Sequence, residues 1–176
     1  MTIKKIALIL FTLLFISLNL VSCGFNMGSK SSLSPKLNNV YLQADNNYEP
    51  FIIKLKNQLV SYGIVFADKP TAAPFILHFY PTEFTHSTAT SGPSTQARVY
   101  NLTYSVSFDI TDSSGKVIVP TKKAVVTRDL TLMPNDIFEI STLVGVTKTN
   151  MEQELVVRTL NILSSRQVTE ALNAAK

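Results

Sequence analysis

The sequence predicts an α+β fold: a mostly antiparallel or mixed sheet of about four strands, covered on one face by two helices as a two-layer sandwich. Three observations carry this. Between Arg98 and Thr111, Tyr100, Leu102, Tyr104, Val106, Phe108 and Ile110 share one parity, and Asn101, Thr103, Ser105, Ser107, Asp109 and Thr111 share the other. That alternation describes a strand with one buried face. Helical spacing occurs in two distant places, in Phe51, Ile52, Leu55, Leu59 and Tyr62 and again in Leu155, Val156, Leu160, Leu163, Val168 and Leu172. Only Val99 interrupts the polar parity of the strand, so helices cover one face and the other stays wet or meets a partner.

Taken in order, Val40-Tyr41-Leu42 is a short strand, and Asn47 can cap a helix whose first turn tolerates Pro50 and whose end is set by Gly63. Ile64-Val65-Phe66 adds a short strand before a loop holding Pro70 and Pro74. Phe75 to Tyr80 is a strand that can run past Pro81 to His86, given an edge position or a bulge at the proline. A polar hairpin loop spans Thr88 to Thr95. After the long strand, Asp112 to Gly115 forms a turn, and the chain returns as a meander through Val117–Val119 and then Lys122–Leu132, with Arg128 among the apolar parity. From Met133 to Thr149 periodicity breaks while large apolar groups persist, which reads either as a short helix or flap on the core or as a patch buried by another protein. Thr149 and Glu152 have capping-box spacing, so the closing helix is expected from about Asn150 to Leu172. Its apolar residues exceed one narrow stripe, which predicts contact on two sides.

The N-terminus carries a different signal. Lys4 and Lys5 precede an apolar run from Ile6 to Leu20, interrupted by Thr12, Ser17 and Asn19 and too short for a membrane span of about 20 apolar residues. It has the form of a secretory signal. The run closes on Leu20-Val21-Ser22-Cys23, which resembles a bacterial lipobox, and Cys23 is the single cysteine of the chain. The resemblance implies cleavage before Cys23 and attachment there of an S-diacylglycerol and an N-acyl (palmitate-type) chain; no other cofactor is expected. Several acyl chains anchor a protein durably where one does not. Gly24 resembles the outer-membrane default at the position after the cysteine, so the expected location is the outer membrane, lipid-anchored on its periplasmic side. The organisation is then a signal peptide over residues 1–22, a lipidated N-terminus and tether over 23–39, and one periplasm-facing α+β domain over 40–176. The segment after Cys23 reads equally as slack or as a leader that packs down on the domain.

Charge and motifs exclude several functions. The chain has a net charge of +4, but without residues 1–22 there remain 14 basic against 12 acidic groups, a net of +2 with no dense basic run. No nucleic-acid partner is expected. His78 and His86, the two histidines, would stand about 26 Å apart on one straight strand, too far to share a metal. No nucleophile elbow or phosphate-cradling glycine loop occurs, and Cys23 is consumed by lipidation. The expectation is a protein that is not an enzyme.

The chain also resembles the LPS-assembly lipoprotein family (LptE) of Gram-negative outer membranes. Cys23-Gly24-Phe25-Asn26-Met27-Gly28 looks like that family's opening, without its basic residue. Gln58 to Ile64, the stretch Tyr100-Asn101-Leu102 with Val106 and Phe108, Asp112 to Gly115, and Leu143 to Glu152 follow in the family's order, and Arg128 sits where its next strand often carries arginine. The resemblance implies a sheet covered by two helices and a non-catalytic role. Such proteins bind and plug the large β-barrel LPS translocon (LptD type), help it assemble, and bind lipopolysaccharide during LPS transport. For that acidic ligand the candidate cations are Lys148, Arg128 and Arg98. The alternative is an accessory lipoprotein of another outer-membrane or envelope complex; a lipoprotein hydrolase comes third.

Overall fold

A computed structural model describes residues 33–88, 98–132 and 140–175. The segment expected as a signal peptide, Cys23, Gly24, most of the expected tether, the expected polar loop beyond Thr88 and residues 133–139 lie outside them. The strands are β1 (Asn39–Ala44), β2 (Val65–Phe66), β3 (Phe75–Phe79), β4 (Glu83–Thr88), β5 (Arg98–Asp112) and β6 (Val117–Leu132); the helices are α1 (Pro50–Ser61), α2 (Ile140–Leu163) and α3 (Arg166–Ala174). The class is α+β, as the sequence predicts, with a mixed sheet larger than four strands. β1 pairs parallel with β2 and β3, while β5 pairs antiparallel with β3, β4 and β6.

The alternation of β5 decides where the core lies. Leu102, Tyr104, Val106, Phe108 and Ile110 are all buried and meet Val40, Leu42, Phe75, Leu77 and Phe79 from β1 and β3 in one cluster with the helices. α1 presents Phe51, Ile52, Leu55 and Leu59 to it, and α2 presents Met151, Leu155, Val156, Leu160 and Leu163. Phe79 stands between Phe51 and Phe108, with ring centroids 5.9 and 5.3 Å away. Among the described residues the helix cover is one-sided.

α1 starts where Pro50 fixes it. Glu49, not Asn47, is the N-cap residue, because a proline at the first helical position leaves no amide for an earlier cap to serve. Gly63 ends the helix at φ +89°, and Ile64 N donates back to Leu59 O at 3.2 Å. Ahead of β1, Leu37 is buried in the core and Ser34 Oγ accepts from Lys36 N, so the tail of the leader, from Leu33 on, packs down.

β3 and β4 lie end to end along one side of β5, since β6 occupies the other side over nearly its whole length. Phe79 pairs with Phe108 and Glu83 with Ser105, so the three residues Tyr80 to Thr82 oppose only Val106 and Ser107. This is the bulge anticipated at Pro81. It reverses the parity, which is why Phe84 rather than an odd-numbered residue faces Tyr104.

Three expectations are corrected. Val117–Val119 and Lys122–Leu132 are one strand of 16 residues, because β5 offers it a continuous partner and the register shifts next to Pro120 absorb the missing amide. The closing helix starts at Ile140 rather than about Asn150, taking in part of the stretch read as a short helix or flap, and Ile140, Leu143, Val144, Thr147 and Met151 continue the core-facing spacing of α2. Thr149 therefore caps nothing: its hydroxyl donates to Gly145 O at 3.1 Å inside the helix. Lastly, the closing helix breaks after Leu163, where the Ser165 side chain accepts from Val168 N and starts α3. Among the described residues the cover is three helices, two of them sharing what was expected as one.

Candidate functional site

The three candidate cations lie on the helix-covered side of the β5–β6 hairpin, spread along it rather than gathered at one point. Arg98 stands opposite Leu132 and Arg128 opposite Leu102, so the two arginines are four residues apart along the ladder, about 13 Å. Lys148, on α2, meets the hairpin further in, at Tyr104, six residues along β5 from Arg98 and so about 20 Å from it. Its ammonium lies 5.2 Å from the Phe84 ring centroid and 5.6 Å from that of Tyr104, and the two rings meet edge to face. A cation seated on two aromatic faces stays open to solvent, as Lys148 does, and gains a fixed position.

Arg128 is differently employed. Its Nη2 lies 2.7 Å from Glu154 Oε2, and Arg158 donates to the other oxygen of the same carboxylate. Arg128 draws the Glu154 carboxyl below its ordinary value of 4.5, with help from Arg158. A depressed acid adds stability above its unfolded value and loses it as pH falls through its folded value. The Arg128→Ala variant should melt slightly below the parent at pH 7, and the gap should close as the pH falls through the lowered folded value of Glu154; a gap independent of pH would mean the bridge contributes nothing.

Behind Lys148 the sheet carries a polar cluster. Thr82 Oγ1 donates to the Glu49 carboxylate and lies 3.4 Å from Tyr104 Oη, whose phenol burial pushes up. One turn along from Lys148, buried Glu152 lies 2.6 Å from Lys54 Nζ of α1. Lys148 thus stands beside a neutralised pair.

The uncovered face of the sheet is the second surface. Tyr80 Oη donates to Asp109 Oδ2 at 2.9 Å, which raises the Tyr80 pKa, and His78 Nδ1 lies 3.8 Å from the same oxygen. The His78 and Tyr80 rings are 4.5 Å apart. Nearby, Lys123 donates to Glu83 at 3.0 Å and draws its carboxyl below the usual range, and Ser105 donates to Glu83 as well. Between these groups a depression of about 440 Å³ opens beside Pro81, with Ser105, Ser107 and Thr121 in its wall. Ser105 and Asp109 are nearly buried at 3% and 8% exposure, so this face is less uniformly wet than alternation implies. Among the described residues no group of three or more His, Cys, Asp and Glu could hold a metal ion.

The family-like position pointed to Arg128 and the strand mouth to Arg98, but neither showed their neighbours. The Phe84–Tyr104 platform depends on the bulge that reverses β4, and Glu154 depends on α2 crossing β6. Spacing on α2 was the one available signal, since Lys148 and Glu152 stand four apart.

Solved structures share this build. Rare lipoprotein B from Shewanella oneidensis matches with a TM-score of 0.65 at 18% identity, over 76% of this chain and 98% of that one. A lipoprotein B from Nitrosomonas europaea matches at 0.64 and 17% identity, over 86% and 94% respectively. A minor lipoprotein from Acinetobacter baumannii matches at 0.51 and 15% identity, over 70% and 92%. No protein-family model and no curated protein matches the chain. At these identities the likeness establishes the fold.

Proposed function

We propose that this chain is an outer-membrane lipoprotein, anchored through acyl chains on Cys23 and facing the periplasm, that binds and plugs the β-barrel LPS translocon, assists its assembly and helps deliver lipopolysaccharide. The observation that carries this reading is a lipobox, Leu20 to Cys23, ahead of a domain whose fold is shared with three lipoproteins. A one-sided helix cover supports it too. The sheet face left open bears Tyr80, Asp109, Ser107 and Lys123, groups able to meet the polar lumen of a barrel. The role is non-catalytic, and the lipid on Cys23 is the only covalent group it requires.

The test is affinity purification of the lipidated protein from detergent-solubilised outer membranes. A large β-barrel should be retained stoichiometrically through an interface well over about 1,000 Å². Recovery of the protein alone, or with an efflux or peptidoglycan component, would replace this reading with an accessory role elsewhere. Fatty-acid labelling should disappear in Cys23→Ala, and persistent labelling would end the lipoprotein reading.

Lipopolysaccharide offers phosphates on an apolar base, and Lys148, Arg128 and Arg98 along one side of the hairpin supply the opposite charge. Lys148 is the strongest of the three, since its ammonium is held in place without a carboxylate partner in the ring contacts that seat it. Replacing Lys148 and Arg98 with Ala should weaken capture of purified LPS, most visibly at low salt. Stability should fall by no more than about 1 kcal/mol from the lost ring contact. Wild-type capture by that double variant would remove both residues from the site.

A further inference from the structure

We infer that the outer edge of β6 accepts an extended, acidic strand from a partner protein, which adds to the sheet in the cleft between β6 and α2. This does not depend on the barrel reading, because it rests on the geometry of one sheet edge. β5 is the sole strand paired with β6 among the described residues, and the ladder from Arg98–Leu132 to Phe108–Lys122 runs without a shift.

The direction of the backbone groups along this edge follows from a bond on the other side of β5. Ser107 O accepts from Tyr80 N, so the main-chain groups of Ser107 face β3 and β4. In an antiparallel ladder the residue opposite then turns its own N–H and C=O away as well. That residue is Lys123. The alternation carries the same outward direction to Val125, Thr127, Asp129 and Thr131. A row of free donors and acceptors is a template for a further strand.

Two features make this edge receptive as well as free. Alongside it a cleft of about 390 Å³ is lined by Lys123, Ala124, Val125, Arg158, Asn161 and Ile162. Ala124 is small, and an added strand would seat an aliphatic side chain over it, against Ile162. The ionic groups of the lining are both cations, which sets the partner's chemistry as acidic. Lys123 and Arg158 do hold Glu83 and Glu154, but each cation is about half exposed and such exposed pairs exchange at little cost. Pro120 and its register shifts block only one end of the edge, leaving the stretch from Lys123 to Thr131 without a proline.

The test uses the full lipidated protein in detergent micelles and a fluorescent synthetic peptide, Glu-Val-Thr-Val-Thr-Val-Glu. Binding should be saturable below about 1 mM, and hydrogen exchange should slow at the amides of Lys123, Val125 and Thr127. Val125→Pro removes an outward amide that β5 does not use, so it should leave the hairpin intact and weaken binding at least about tenfold. If Val125→Pro fails to fold, Arg158→Glu on the exposed face of α2 serves instead, with a similar expected loss. The same peptide with Lys in place of Glu should bind at least about tenfold more weakly. Absence of protection at the three amides, or unchanged binding by the folded variants, would overturn the proposal. So would concentration-dependent protection without peptide, which would make the occupant a second copy of this chain.

Discussion

Phe108→Asp should abolish folding. Phe108 is fully buried in the middle of β5, packed on Phe79, which in turn meets Phe51 of α1, so its ring joins the sheet to the helix layer. Loss of a buried phenylalanine side chain alone costs about 3–5 kcal/mol. A carboxylate without a partner in the same place costs several kcal/mol more, or takes up a proton. Together these match the whole stability of a typical domain, about 5–15 kcal/mol. The neighbouring Ser107→Asp is the control. It lies on the uncovered face, opposite Lys123, and should change stability by no more than about 0.5 kcal/mol. Circular dichroism and thermal melting separate the two variants; a cooperative melt of Phe108→Asp near the parental temperature would show that the helix layer does not rest on this face. Ser105 would not serve as that control, because it is nearly buried and donates to Glu83.

The second large effect is expected at the link between α1 and α2. Glu152 is 6% exposed and its carboxylate meets Lys54 Nζ at 2.6 Å. That oxygen makes no other side-chain or main-chain hydrogen bond among the described residues, so the ammonium is its sole compensation. Lys54→Ala strands the buried charge. Removal of one partner from a fully buried pair costs about 3–5 kcal/mol, and the partial exposure of Lys54 lowers this to about 2–3. For a domain of this size that is a fall in Tm of about 4–12 °C. The pair Lys54→Met with Glu152→Leu should recover most of it, because two apolar side chains of similar volume leave no charge to desolvate. An unchanged Tm for Lys54→Ala, or a double variant no better than the single, would show that water already reaches the carboxylate.

The amino-acid sequence alone determined the parts of this protein that depend on local periodicity. Tyr100 to Ile110 fixed a strand and its buried face, since side chains alternate whatever lies around them. Phe51 to Leu59 with Gly63 fixed α1 and its end, because glycine is the residue that takes a positive φ without strain. Pro81 marked the bulge, as it has no amide to give to a ladder. The resemblance of Leu20 to Cys23 to a lipobox was likewise legible, being a linear pattern, and those residues lie outside the described ones. Tertiary structure decided what depends on distant neighbours. Thr149 and Glu152 have the spacing of a cap, yet the core-facing run from Ile140 carries the helix past them and Lys54 engages the glutamate. Val117–Val119 joined Lys122–Leu132 because β5 was long enough to pair with both. Lys148, Phe84 and Tyr104 were brought together by a parity reversal and a helix crossing that no local pattern encodes, and Arg128 met Glu154 for the same reason. Local spacing fixes which face a side chain takes; which charge it meets there is set by the packing of whole elements.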